Sequence, residues 1–207
     1  MATTTTPIPG MRSASATAEI RVVPAIAERW GDVVTMLGGE LDKGCWCQAW
    51  RGRDALAKAN DEARSDTLLR QIRSADAPPG FLAYIGDEVV GWAGVSVRGQ
   101  TPRLDASLTI PKVDDAPVWV IGCFLIRVGH RRQGVASALL DGVVAAARKA
   151  GAPGVESFPI DPVGRRANAN FAFTGLASMF DRAGFTRVME TNAHSDKLPR
   201  LLVRLDL

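Results

Sequence analysis

The stretch Arg131-Arg132-Gln133-Gly134-Val135-Ala136-Ser137 is where this 207-residue chain concentrates its chemistry. An apolar run, Val118–Ile126 (VWVIGCFLI), comes before it, and residues 134–150 follow with apolar side chains at helical spacing. The pattern is strand, basic loop, helix start. At such a start several backbone N–H groups lack intrahelical partners, and the helix dipole adds partial positive charge. Gly134 removes a side chain where an anion would approach, Ala136 and Ser137 keep the first turn slim, and Arg131 and Arg132 offer charge-assisted donors. The chemistry implied is capture of a pyrophosphate. Neither the G-x-G-x-x-G of dinucleotide folds nor the Walker G-x-x-x-x-G-K-[ST] occurs.

Other reactive side chains are sparse. Cys45 and Cys47 flank Trp46 in GCWCQAW, and Cys123 lies in the apolar run. The two histidines, His130 and His194, stand at no familiar metal-ligand spacing, so no metal is expected and the cysteines read as reduced thiols packed as small hydrophobes. The net charge is only +3, and basic residues are scattered apart from Arg127, Arg131 and Arg132 and the pair Arg165–Arg166. That distribution suits a small polyanion and argues against nucleic acid, which calls for a basic stripe with interleaved aromatics. Residues 1–18 are rich in Thr, Ser, Ala and Pro and are expected to be a disordered tail ahead of one domain over 19–207. No run approaches the ~18 apolar residues of a membrane-spanning helix, so a cytoplasmic protein without a membrane partner is expected.

The elements that must position the basic loop can be outlined. Glu19–Val23 alternates as a strand, Ala25–Leu37 has helical spacing, Cys45–Trp50 is an aromatic loop, and Asp54–Ala75 reads as one amphipathic helix. Phe81–Ile85 and Val89–Val97 form a hairpin about Gly86-Asp87-Glu88, and Gln100–Asp115 is a long loop. Val118–Ile126, apolar throughout, predicts a strand covered on both faces. After the helix over 134–150 come a strand at Val155–Phe158, a helix over Phe171–Ala183, and strands at Thr186–Glu190 and Leu201–Leu205. This order predicts an α/β (α+β) fold: a mixed sheet with helices on both faces.

Arg131-Arg132-Gln133-Gly134-Val135-Ala136 resembles the Arg/Gln-x-x-Gly-x-Gly/Ala signature of the GNAT superfamily of N-acetyltransferases, placed between a strand and a helix as in that family. Glu88-Val89-Val90-Gly91-Trp92-Ala93 resembles its second hairpin strand, and Asp181-Arg182-Ala183-Gly184-Phe185 its closing helix-to-strand turn, so the resemblance covers roughly 19–207. Cys45-Trp46-Cys47, Pro102-Arg103-Leu104 and Phe173-Thr174-Gly175 resemble a bacterial subgroup of undefined acceptor.

The resemblance implies a mostly antiparallel mixed sheet splayed between strands 4 and 5, with acetyl-CoA or another acyl-CoA as co-substrate and no metal. Backbone groups of Phe124, Leu125 and Ile126 would pair with the pantetheine arm. Arg132, Gln133, Gly134, Val135, Ala136 and Ser137 would hold the pyrophosphate, with Arg131 supporting that loop or the 3′-phosphate. The reaction implied is direct attack of a primary amine, from a small molecule or a protein, on the thioester. The backbone N–H of Leu125 would donate to the oxyanion. A catalytically degenerate, CoA-binding sensor or interaction module is the alternative, because Phe180 stands where the family often has a proton-donating tyrosine and Phe173 where it often has asparagine. Glu156, a carboxylate between apolar strand residues, is the leading base, ahead of Asp114 and Asp115. Ser178, set i, i+4 from Thr174 on a predicted helix, is a candidate proton donor, and Tyr84 a weaker one. Trp46, Trp50 and Trp92 could line the acceptor site, where aromatic faces suit a hydrophobic or cationic amine. A homodimer is compatible with the sequence.

Overall fold

A computed structural model describes residues 19–38, 44–52, 55–165, 167–168 and 171–207. The tail expected over 1–18 lies outside the described residues. The strands are β1 (Ile20–Pro24), β2 (Gly80–Ile85), β3 (Glu88–Val97), β4 (Trp119–Ile126), β5 (Gly154–Ser157), β6 (Thr186–Ser195) and β7 (Leu198–Asp206). They form one sheet in the order β1-β2-β3-β4-β5-β7-β6, antiparallel except for the β4–β5 pair. The mixed, helix-flanked sheet expected from the sequence is therefore present.

The β4–β5 pair is short: Trp119↔Val155, Val120↔Glu156 and Ile121↔Ser157. Ser157 Oγ donates to the Ile121 carbonyl at 2.9 Å, and the next residues are Phe158 and Pro159. Proline has no N–H to extend a ladder. The chain instead stays with β7, where the Pro159 carbonyl accepts from Leu201 N–H and Ile160 bridges Arg200. β4 runs on to Ile126 paired with β3 only, and the sheet opens on its other side.

The helices are α1 (Trp30–Leu37), α2 (Gln48–Arg51), α3 (Ala55–Ala59), α4 (Arg64–Ser74), α5 (Pro102–Asp105), α6 (Val135–Lys149) and α7 (Ala177–Arg182). α6 buries Val135, Leu139, Leu140, Val143 and Ala147 against the sheet, each large apolar side chain contributing roughly 2 kcal/mol. Several sequence expectations change, among them the long loop expected over 100–115, which carries α5. The helix expected over 54–75 is two helices, parted by a turn in which Asp61 takes a positive φ of 46°. The aromatic loop at 45–50 carries α2. The helix expected over 171–183 starts only at Ala177, because Gly175 sits at φ 85° and Leu176 is extended, bridging Ile160. Thr174 is therefore buried in a turn and shares no helix face with Ser178.

α6 lies close against the sheet because Gly91 has no side chain: a Cβ there would meet Val135 Cγ1 at 2.7 Å and Leu139 Cδ1 at 3.0 Å. Gly91→Ala should lower the unfolding free energy by about 1–3 kcal/mol, as overpacking does. A urea titration with an unshifted midpoint would contradict this packing.

Candidate functional site

The loop between β4 and α6 is held by its own side chains. Arg131 Nε donates to the Ile126 carbonyl at 3.4 Å, and Gln133 Nε2 to the Gly129 carbonyl at 2.7 Å. Arg127 pairs with Glu88 at 2.7 Å, tying the loop to β3. Arg132 is left-handed at φ 61°, and Gly134, the residue capping α6, has φ 85°. The first helical bond runs from Ala138 N–H to the Gly134 carbonyl. The amides of Val135, Ala136 and Ser137 thus come before the ladder begins and point out of the helix end. A Cβ on Gly134 would meet only Ile20 Cδ1, at 3.9 Å, so the space in front of this end is open.

That end faces a cavity of about 600 Å³ between β4, α6 and α7. Of the residues expected to bind the cofactor, Phe124, Leu125, Ile126, Arg131, Arg132, Gly134, Val135, Ala136 and Ser137 line it, and so does Ser178. Gln133 does not; its side chain is turned into the loop. His130 and Arg182 add to the wall. Pyrophosphate fits this donor set: free helix-end amides, nearby guanidiniums and a gap without side chains.

A second cavity, of about 380 Å³, lies on the other side of the β4 end, enclosed by the Cys45–Arg51 segment, β3 and β4. Trp46 and Trp50 line it, together with Cys45, Cys47, Arg51, Ser96, Cys123 and Leu37. Phe124, Leu125 and Phe173 line both cavities. These three residues form the wall that the two cavities share. Trp50 packs over Gly122, where a Cβ would come within 3.1 Å of its Cδ1.

The Cys45–Arg51 segment is strained. Trp46 and Cys47 are both left-handed, at φ 48° and 56°, a conformation costing roughly 1–2 kcal/mol per non-glycine residue. It is held by Arg51, whose Nη2 donates to the carbonyls of Pro79 and Val95, and by Trp46 stacking on Trp30 with centroids 5.8 Å apart.

Several expected site residues are placed elsewhere. Glu156 lines neither cavity; it is 2% exposed and pairs with Arg98 at 3.2 Å and Arg204 at 3.4 Å. Burial pushes its carboxyl up, while the two guanidiniums oppose that shift. A carboxylate so enclosed is a tie between β5, β7 and the end of β3, not a base open to a substrate. Asp114 and Asp115 are likewise committed, to Arg204 at 2.6 Å and Lys112 at 2.5 Å. Trp92 is fully buried and lines neither cavity; its Nε1 donates to Cys47 Sγ at 3.0 Å. The Tyr84 hydroxyl donates to Asp32 at 2.6 Å and is pushed up to about 12 by burial and that carboxylate. Arg165 donates to the Lys197 carbonyl at 3.3 Å, and Arg166 lies outside the described residues.

The Leu125 amide, expected as oxyanion donor, is turned toward β3. Arg127 N–H donates to Val90, and Trp92 pairs with Leu125. Antiparallel ladders alternate, so Leu125 N–H also faces β3, whereas the amides of Phe124 and Ile126 face the opened side. Phe124 N–H is bonded there, to the Phe173 carbonyl at 2.5 Å. Sequence reading also passed over Cys47 and Cys123 as cavity residues; only their nearness in the fold marks them.

The model of the acetyltransferase (GNAT) family matches residues 47–171, which span β4, the basic loop and α6. The chain belongs to that family. No curated protein matches it. Among solved structures it is similar to a histone acetyltransferase and related acetyltransferase from Corynebacterium glutamicum, at 21% identity and TM-score 0.52, covering 89% of this chain and 94% of that one. It is also similar to a polyamine N-acetyltransferase of Drosophila melanogaster, at 9% identity and TM-score 0.53 over 91% and 100% of the two chains. A third is the paia N-acetyltransferase of Thermoplasma acidophilum in complex with coenzyme A, at 11% identity and TM-score 0.52 over 91% and 99%. At these identities the structures share the fold. Among the described residues no helix is long and apolar enough to cross a membrane, and no cluster of metal-ligating side chains occurs.

Two outcomes test this arrangement. Glu156→Gln leaves Arg98 with Asp105 as its remaining carboxylate partner and should cost about 3 kcal/mol of stability while leaving any pH profile of turnover unmoved; a lost acidic limb with unchanged stability would restore Glu156 as the base. Gly134→Glu should weaken coenzyme A binding by at least about tenfold in a folded protein, read by calorimetry, since it sets a negative charge in the helix-end gap.

Proposed function

We propose that this chain transfers an acyl group, foremost acetyl, from acyl-CoA to a primary amine by direct attack. The observation that carries this reading is the wall the two cavities share, Phe124, Leu125 and Phe173, at the end of β4 that β5 leaves open. Bound acyl-CoA supplies an activated carbonyl. The amides of Val135, Ala136 and Ser137 with Arg131 and Arg132 hold its diphosphate, and the open edge of β4 at Ile126 takes its pantetheine arm.

The smaller cavity holds the acceptor. Trp46, Trp50, Phe124, Leu125, Phe173 and Leu37 make it largely apolar. Its charged lining residue, Arg51, is buried and bonded to main-chain carbonyls. An apolar wall disfavours an ammonium ion. It therefore favours a hydrophobic or aromatic amine in the neutral form that attacks, and no buried base is required. Ser178, exposed at the start of α7 and lining the larger cavity, relays the proton that the attacking amine loses to the departing thiolate. Phe180 is buried between Phe124 and Phe185 and offers no proton.

One observation favours a second reading, a CoA-binding module without turnover: the Phe124 amide is already bonded to Phe173. A panel of amines assayed by release of the coenzyme A thiol separates the two. Apolar amines should give release, and Trp50→Ala should raise the KM for the amine severalfold while leaving that for acetyl-CoA unchanged. Coenzyme A binding with no release for any amine would establish the module instead.

A further inference from the structure

Cys47 and Cys123 are 76 positions apart in sequence, yet their sulfurs lie 3.3 Å apart in the wall of the smaller cavity. Three features build this contact. The sulfurs meet over Gly94, where a Cβ would fall 2.7 Å from Cys47 Sγ and 2.9 Å from Cys123 Sγ, so any side chain would part them. Trp92 Nε1 donates to Cys47 Sγ at 3.0 Å. The left-handed turn at Trp46 and Cys47 aims the thiol inward, and Arg51 is fixed one helical turn further on. Both cysteines keep partial exposure, so a small molecule in the cavity can reach them.

The two thiols differ electrostatically. Donation from Cys123, aided by Arg51 and Trp92, holds the Cys47 thiol below its ordinary range. The same contact, together with burial, pushes Cys123 well above its own. A thiolate is the reactive form of cysteine, and a neighbouring thiol can resolve what it forms.

We propose that Cys47 and Cys123 form a two-thiol oxidation site for small hydroperoxides. The Cys47 thiolate attacks the terminal peroxide oxygen; an S–O bond forms, the O–O bond breaks, and the alkoxide or hydroxide released takes a proton. Sulfur loses two electrons to the peroxide, giving a sulfenic acid. The Cys123 sulfur then attacks the Cys47 sulfur, an S–S bond replaces the S–O bond, and hydroxide leaves with the Cys123 proton as water. The product ties the Cys45–Arg51 segment to β4 across the cavity wall. The proposal does not depend on acyl transfer.

The test uses the reduced full-length protein, one equivalent of hydrogen peroxide, and a thiol titration after denaturation. Two of the three thiols should disappear, the mass should fall by two hydrogens, and peptide mapping should join Cys47 to Cys123, all reversed by dithiothreitol. Cys45→Ser should leave the cross-link unchanged, and Cys123→Ser should halt at a dimedone-reactive sulfenic acid on Cys47. Three surviving thiols, or a link involving Cys45, would overturn the proposal. So would equal oxidation of the unfolded chain, because the reactivity would then owe nothing to the fold.

Discussion

Three residue pairs hold β4 to β5 before the two strands part, and both cavities are lined by the stretch of β4 beyond that parting. Backbone amides and carbonyls must find partners, so an unpaired strand edge in a protein interior is an unmet demand. Residues 122–126 of β4 carry that demand on the side facing away from β3. The cause of the parting is local. Ser157 closes the last carbonyl of the ladder, Pro159 cannot donate, and the chain after Phe158 follows β7. The larger cavity opens in the gap, and the smaller one lies across the β4 end from it.

The closed end of the wedge is held differently from the open end. Arg98 at the end of β3, Glu156 on β5 and Arg204 on β7 form a buried chain of charges, extended by Asp105 and Asp114. Buried ion pairs add little net stability but are costly to break from one side. Their effect here is to fix which strands meet and where the ladder stops. The open end carries instead a single main-chain bond, from Phe124 to Phe173. Rigidity at one end leaves adjustable space at the other.

How much of this was legible in the sequence follows from how local each signal is. The open helix start at Gly134 could be read because strand, loop and helix are contiguous, and a glycine at that point signals its own positive φ. The mixed sheet followed from the order of its elements. What failed depends on partners distant in sequence or on ladder phase. Glu156 looks like a base until Arg98 and Arg204 are seen beside it. Leu125 and Phe124 differ only in which way each amide points, and that phase is set by pairing with β3. Gly175 was hidden inside an apparently helical pattern. The thiol pair needed two segments 76 positions apart to converge on a glycine of a third strand.

Phe173 links these levels. Its carbonyl holds the Phe124 amide, its ring lines both cavities, and the Arg200 guanidinium lies 4.9 Å from the ring centroid. Arg200 is buried, its Nη1 has no hydrogen-bond partner among the described residues, and desolvation lowers its affinity for a proton. Among the described residues its cationic head is met by the faces of Phe173 and Phe158. The Phe173 segment is thus gripped from β4 by one hydrogen bond and from β7 by a ring–cation contact. Any ligand carbonyl taking the Phe124 amide would exchange one neutral acceptor for another, a change of about 1 kcal/mol in either direction. The segment is held from β6 as well, where Ser195 Oγ donates to the Phe171 carbonyl at 3.0 Å, so its position rests on three strands at once.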